Sequence, residues 1–162
     1  MATAPNPYAA DLGTRDPYRA LGETPERIHA IVERWPADRF ERSYAPGKWS
    51  ARLVLLHLAQ TELALGTRVR YALSQEGYAA QSFSQDDWLP IDDSVDGRTA
   101  VEVYTTLRRL NAAMFRGLTQ AQRDRPFHHP EYGVLTVGWV AHQMAGHDLH
   151  HLKQIELIDA AG

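Results

Sequence analysis

The chain has 162 residues, which suits one domain with a full-sized core. Hydrophobic residues make up 44% and charged residues 23%, and 17 Lys and Arg against 20 Asp and Glu give a net charge of −3. This weakly acidic balance argues against nucleic acid or an anionic membrane as partner, no apolar run approaches the ~20 residues that span a bilayer, and the absence of cysteine excludes disulfides, thiolate ligands and a thiol nucleophile of the chain's own.

The first residues lack the basic-then-apolar order of a signal peptide, so the cytoplasm is the default location. Residues 1–22 carry Pro5, Pro7, Gly13, Pro17 and Gly22 without a steady period. They read as an irregular leader lying over a single domain at 23–162. Thr24-Pro25-Glu26 is a helix start: a capping hydroxyl, a proline in the first turn and an acid at the positive end of the dipole. Ile28, Ile31, Val32 and Trp35 follow at helical spacing, and this first helix is expected to end near Phe40.

A turn at Pro46-Gly47-Lys48 leads to Ser50, which caps a second helix over about 51–75. Val54, His57, Leu58, Thr61, Leu65 and Val69 mark its inner face, so His57 points inward. Residues 77–98 have no helical period and hold Phe83, Trp88 and five aspartates. A connection this long tends to be functional, and its aromatic residues favour an ordered flap. A third helix over about 99–118 carries an apolar stripe through Tyr104, Leu107, Asn111 and Met114, with Arg108 and Arg109 on the wet side. Residues 120–135 form a second long connection, where Pro126, Pro130 and Gly133 forbid regular helix. Thr136 caps a fourth helix that runs almost to the end. Four amphipathic helices without convincing strand alternation predict an all-α fold, a four-helix bundle with long connections between helices 2 and 3 and between helices 3 and 4.

Eight histidines occur, six of them between His128 and His151. His147 and His151 are i and i+4 on the inner face of the fourth helix, a spacing that lets two imidazoles grip one ion. His57, alone on the second helix, is the natural third ligand. Three neutral imidazoles suit zinc, nickel or a similar divalent ion and leave positions open for a small-molecule substrate. Any one inward histidine is more often a hydrogen-bonded core residue, but three in one region are costly to bury without a shared partner. His150 lies about 60° around the helix from His147 and supports the site from behind or is simply exposed. Glu62 reaches the site's edge or, as the weightier reading, sits on a solvated face. Asp148 orients a neighbour or makes a surface pair. Trp49 and Trp88 are candidates to line an entrance, with ordinary packing the weightier reading for Trp49. His128 and His129, on the loop before the fourth helix, are solvated or serve the substrate rim. His29 and His142 read as surface residues.

Pro46-Gly47-Lys48-Trp49-Ser50 followed by Leu53, His57-Leu58 and Glu62 resembles the second-helix signature of the DinB-like superfamily, of the YfiT type. Gly146-His147-Asp148-Leu149-His150-His151-Leu152-Lys153-Gln154 resembles its C-terminal signature, and Asp86-Asp87-Trp88 and His129-Pro130-Glu131-Tyr132-Gly133 are similar to loops of its members. The resemblance implies a four-helix bundle holding a divalent metal, zinc or nickel, on the residues matching His57, His147 and His151, often as a homodimer. It implies a transferase that activates a low-molecular-weight thiol such as bacillithiol or mycothiol, in stress response or detoxification. The missing cysteine fits an external thiol. The alternatives are a metal-dependent hydrolase using metal-activated water, with Glu62, His128 or Asp148 as general acid or base, and a non-catalytic metal- or small-molecule-binding stress protein.

Overall fold

The computed structural model describes residues 4–161. Its main elements are a one-turn helix α1 (Ala9–Leu12), α2 (Pro17–Val32), α3 (Ala51–Ser74), a one-turn α4 (Gln85–Trp88), α5 (Gly97–Gly117), a one-turn α6 (Gln120–Arg123), strands β1 (Pro126–His129) and β2 (Gly133–Thr136), and α7 (Val137–Ala160).

Each long helix is started by a side-chain cap. The Asp16 carboxylate accepts from the Arg19 amide at 2.8 Å, Ser50 from Leu53 at 3.4 Å, Asp96 from Thr99 at 2.8 Å and Thr136 from Trp139 at 3.2 Å. The last three caps put α3, α5 and α7 within two residues of their expected starts. The first helix differs. It begins at Pro17, seven residues before Thr24, so residues 17–22 of the expected irregular leader are helical. Asp16-Pro17 is itself a cap followed by proline at the first position, and Pro25 is carried inside the helix despite its missing N–H. Thr24 and Pro25 are buried there rather than exposed at a terminus. The helix stops at Val32, and Pro36 introduces a separate 3-10 turn at Ala37–Glu41 that buries Phe40.

The four long helices form the bundle. α3 packs on α5 and α7, and α2 packs on the same two, so consecutive helices α2 and α3 face each other across a diagonal. Leu21, Ile28, Leu55, Leu58, Met144 and Ile155 lie among the fully buried side chains of one continuous core. The far end of α7 is fastened by Trp35, whose indole N–H donates to Asp159 at 2.7 Å, and by Arg39, which donates to the Asp159 carbonyl at 2.9 Å.

Both long connections are ordered. Residues 77–98 wrap the α3 face: Gln60 donates to the Trp88 carbonyl at 2.9 Å and to Asp92 at 2.7 Å, and Arg52 reaches Asp93 at 3.1 Å. The expectation of no strand is corrected by the antiparallel hairpin β1–β2, with Phe127 opposite Leu135 and His129 opposite Gly133. Four-residue strands are too short for alternation to stand out, and Gly133 at φ 71° supplies the turn. Phe127, His129 and Leu135 face inward.

α1 lies against α7 at Gly146, where an added Cβ would strike the Tyr8 carbonyl and come within 2.8 Å of the Tyr8 Cβ. Gly146→Ala is therefore expected to lever α1 off α7. The cost is about 1–3 kcal/mol by chemical denaturation, with faster amide exchange at residues 9–13. A cost below about 0.5 kcal/mol with unchanged exchange would show that this contact carries no weight.

Candidate metal centre

His57 stands on α3, one turn before Thr61, and His147 and His151 stand one turn apart on α7. Because α3 and α7 are neighbours, the three rings meet. Nε2 of His57 lies 2.8 Å from Nε2 of His147, which lies 3.1 Å from Nε2 of His151. All three residues are at most 5% exposed. Among the described residues no other cluster of metal-ligating side chains forms.

The protonation states suit a cation. Burial and the neighbouring imidazoles push the His57 pKa down to about 2, and the same causes, burial first, push that of His151 down to about 3. Both rings are neutral near pH 7, the form that ligates metal. Nδ1 of His151 stands 2.8 Å from Oε1 of Gln154, so this nitrogen donates and its Nε2 keeps a free lone pair. Three Nε2 atoms converge within contact distance, and that of His151 presents a lone pair to the other two. A divalent ion is a partner that all three can share, and the residues present fit one.

Aromatic rings wall the cluster. Trp49 lies 5.2 Å from His57 and stacks on His151 at 6.5 Å, Tyr8 meets His147 edge-on at 5.0 Å, and Phe83 stacks on His57 at 6.2 Å. Trp49 thus touches the site directly. Trp88 does so only through Phe83, 4.9 Å away, and lines a neighbouring surface cavity instead. His57 and His147 open into a cavity of about 400 Å³ whose walls include Thr61, Arg68, His129 and Gln143. Thr61 Oγ1 and Gln143 Oε1 are buried there without a protein hydrogen-bond partner.

The hairpin decides between the two loop histidines. His128 is exposed, whereas His129 is 8% exposed and faces this cavity. The backbone amides of Glu131 and Tyr132 donate to its Nδ1 at 3.2 and 3.3 Å, which places its proton on Nε2. Burial, and then the Arg68 charge, lower its pKa and favour this neutral form. His150 is half-buried, 3.5 Å from Asp11, beside Tyr8 and edge-on to His151 at 5.3 Å, and is not among the residues that line the cavity. His29 and His142 are exposed as expected.

Arg108 and Glu62, expected at the surface, share one buried network with Asp148, for which orienting a neighbour is one of the two expectations. Arg108, placed on the wet side of its helix by the apolar stripe, is 1% exposed; Glu62 is 1% and Asp148 0% exposed. Nη2 of Arg108 donates to Glu62 and forms an ion pair with Asp148 at 2.8 Å; Tyr104 donates to Asp148 at 2.8 Å and Asn111 to Glu62 at 2.9 Å. Periodicity misassigned Arg108 and Glu62 because a polar residue on an inner face is indistinguishable from one on an outer face until its partner is known. Two carboxylates share one guanidinium in the core. Burial raises the Glu62 pKa beyond what Arg108 lowers it, while for Asp148 burial is outweighed by Arg108, His147 and Tyr104 acting together and the pKa is lowered. Asp148 Oδ1 lies 3.9 Å from His147 Nδ1, so the Asp148 carboxylate sits directly behind the cluster, where it favours a cation. Glu62 serves this network and is not among the residues that wall the cavity.

Comparison with known proteins agrees with this geometry. The family model of the DinB superfamily matches residues 20–155. A candidate metal-dependent hydrolase of Oceanobacillus iheyensis is 25% identical over 132 residues, covering 81% of this chain and 76% of its own. YfiT of Bacillus subtilis, also a candidate metal-dependent hydrolase, is 26% identical over 140 residues, covering 85% of this chain and 79% of its own. The solved structure of YfiT, described as a four-helix bundle of unusual topology, superposes with a TM-score of 0.80 at 24% identity over 90% of this chain and 85% of that one.

Proposed function

The chain belongs to the DinB superfamily, and from that premise we propose that it is a divalent-metal-dependent enzyme in which His57, His147 and His151 hold the ion, zinc or nickel, and an external low-molecular-weight thiol is the nucleophile. The observation that carries this reading is the convergence of three Nε2 donors at the end of a cavity of about 400 Å³, a size suited to a small molecule. A divalent ion bound there supplies Lewis acidity that brings a thiol or a water toward ionisation near neutral pH. The chain's own residues do the rest. Gln154 fixes the His151 ring, Trp49 and Tyr8 shield the cluster, and Phe83 with the 77–98 segment covers one side of the approach. His129 presents an N–H to the cavity. With no cysteine in the chain, the sulfur comes from outside and the product is an S-conjugate formed in stress response or detoxification.

Hydrolysis is the second reading. The relatives' names favour it, as does Glu131 in the cavity wall, a carboxylate able to take a proton from water. A homodimer is the proposed assembly. Leu63 of α3 and Val103 and Leu110 of α5, all apolar and exposed, support it.

The two reactions separate in one assay of zinc- and nickel-loaded protein. Conjugation of a model electrophile with bacillithiol or mycothiol should exceed the uncatalysed rate by at least ~100-fold and vanish in His151→Ala, while esters and amides stay intact. Turnover of esters or amides without added thiol, lost in the same variant, would replace the transferase reading with the hydrolase one.

A further inference from the structure

Arg68 has no place in the metal site or in the Arg108 network, yet it is buried. It is 6% exposed on α3, and among the described residues it pairs with no carboxylate within 4.0 Å. One nitrogen, Nη2, donates to the Gln81 carbonyl at 2.9 Å. Arg68 lines the cavity that ends at His57 and His147 and also the neighbouring surface cavity beside Trp88. A guanidinium removed from water without a counter-charge is costly, and such groups are retained where a ligand supplies the charge. What offsets its burial is partial: the Tyr78 hydroxyl and, from an exposed position on the hairpin turn, Glu131.

Helix geometry relates Arg68 to the histidines. Position 68 follows 57 by eleven residues, which returns to within about 20° of the same face and lies about 16 Å further along the axis. Side chains on a helix lean toward its N-terminus, so the Arg68 guanidinium is carried back toward His57, leaving a gap of roughly 10 Å. Thr61, between them on this face, and Gln143 on α7 each offer the cavity a buried oxygen with no protein partner.

We propose that Arg68 is the anchor for an anionic oxygen group, a carboxylate, on the small molecule whose reacting end lies at the three histidines, so that the enzyme selects ligands with the two groups roughly 8–10 Å apart. Thr61 and Gln143 accept hydrogen bonds from hydroxyl or amide groups between those ends. The planar guanidinium fork matches a carboxylate in two parallel hydrogen bonds, which a lysine at this position would not reproduce.

This inference rests on the proposed metal site but not on the choice between thiol transfer and hydrolysis, so its test uses hydroxamates, which bind a metal in either case. Titration calorimetry on zinc-loaded protein compares adipic acid monohydroxamate with the neutral hexanohydroxamate. Wild type should prefer the carboxylate-bearing probe by about 10- to 100-fold. Arg68→Gln should bring that ratio to about 1 and leave hexanohydroxamate binding and zinc content unchanged. Arg68→Lys, which keeps the charge in case the glutamine variant folds poorly, should recover only part of the preference. Equal binding of both probes to wild type, or a preference that persists in Arg68→Gln, would overturn the anchor alone. Failure of both probes to bind zinc-loaded wild type would sink the metal site and the anchor with it.

Discussion

His57→Ala and His147→Ala are expected to empty the metal centre. Purified wild type should carry about one divalent ion per chain by elemental analysis, and each variant less than about a tenth of that under the same conditions. The reason is the count of donors. Three imidazoles meet from two helices, and removing one leaves two where three or four ligands are the rule. Affinity should fall by more than the 10- to 100-fold typical of losing a residue that only supports a ligand. Stability follows by linkage. With free metal at about 1,000 times its dissociation constant, the ion stabilises the fold by about 4 kcal/mol. A chelator should therefore lower the unfolding temperature of wild type and leave both variants almost unmoved. His142→Ala, altering an exposed histidine outside the cluster, is the matched control and should keep its metal. Equal metal content in wild type and His57→Ala would show that the histidines pack together for another reason.

The second large effect is placed at Arg108. Arg108→Met roughly conserves volume and removes the only guanidinium between Glu62 and Asp148. Two carboxylates would remain buried without a counter-charge, and breaking such a network by deleting one partner costs about 3–5 kcal/mol. For a chain of this size that is a fall of about 6–20 °C in unfolding temperature. The pH dependence identifies the cause. In wild type the Asp148 pKa is lowered, so its contribution is present above the unfolded carboxylate value and is lost as pH falls through the folded one. In the variant both carboxylates are expected to titrate above their unfolded values, so the fold loses stability as pH rises. The gap between variant and wild type should accordingly be widest near pH 8 and narrow by about 1 kcal/mol or more at pH 5, as read by urea denaturation. Adding Glu62→Gln to Arg108→Met should restore part of the loss by removing one stranded charge. A gap below about 1 kcal/mol, or one that is the same at both pH values, would mean that the network is neutral to folding.

The network has a second consequence. It adjoins His147 through Asp148, so changes at Arg108 or Asp148 alter the electrostatics of the histidine cluster as well as the core. Metal affinity measured alongside stability in Arg108→Met separates the two effects.

Much of this protein is determined by local sequence. Caps at Ser50, Asp96 and Thr136, and apolar residues at steps of three and four, set three of the four long helices, because capping and face periodicity depend on residues within one or two turns of each other. The same periodicity put His147 and His151 on one face and turned His57 inward. Local signals failed where two were in competition or too short: Asp16-Pro17 prevailed over Thr24-Pro25, and the four-residue strands gave no readable alternation. Only the tertiary structure decided which polar residues are inside. Arg108, Glu62 and Asp148 come from three different helices, and each is affordable in the core only because the other two are there. Arg68 and His129 likewise became visible as cavity residues once α3, α7 and the hairpin were assembled around one space. Sequence periodicity reports which face a residue occupies; whether a charge on that face meets water, a partner or a ligand depends on residues far along the chain.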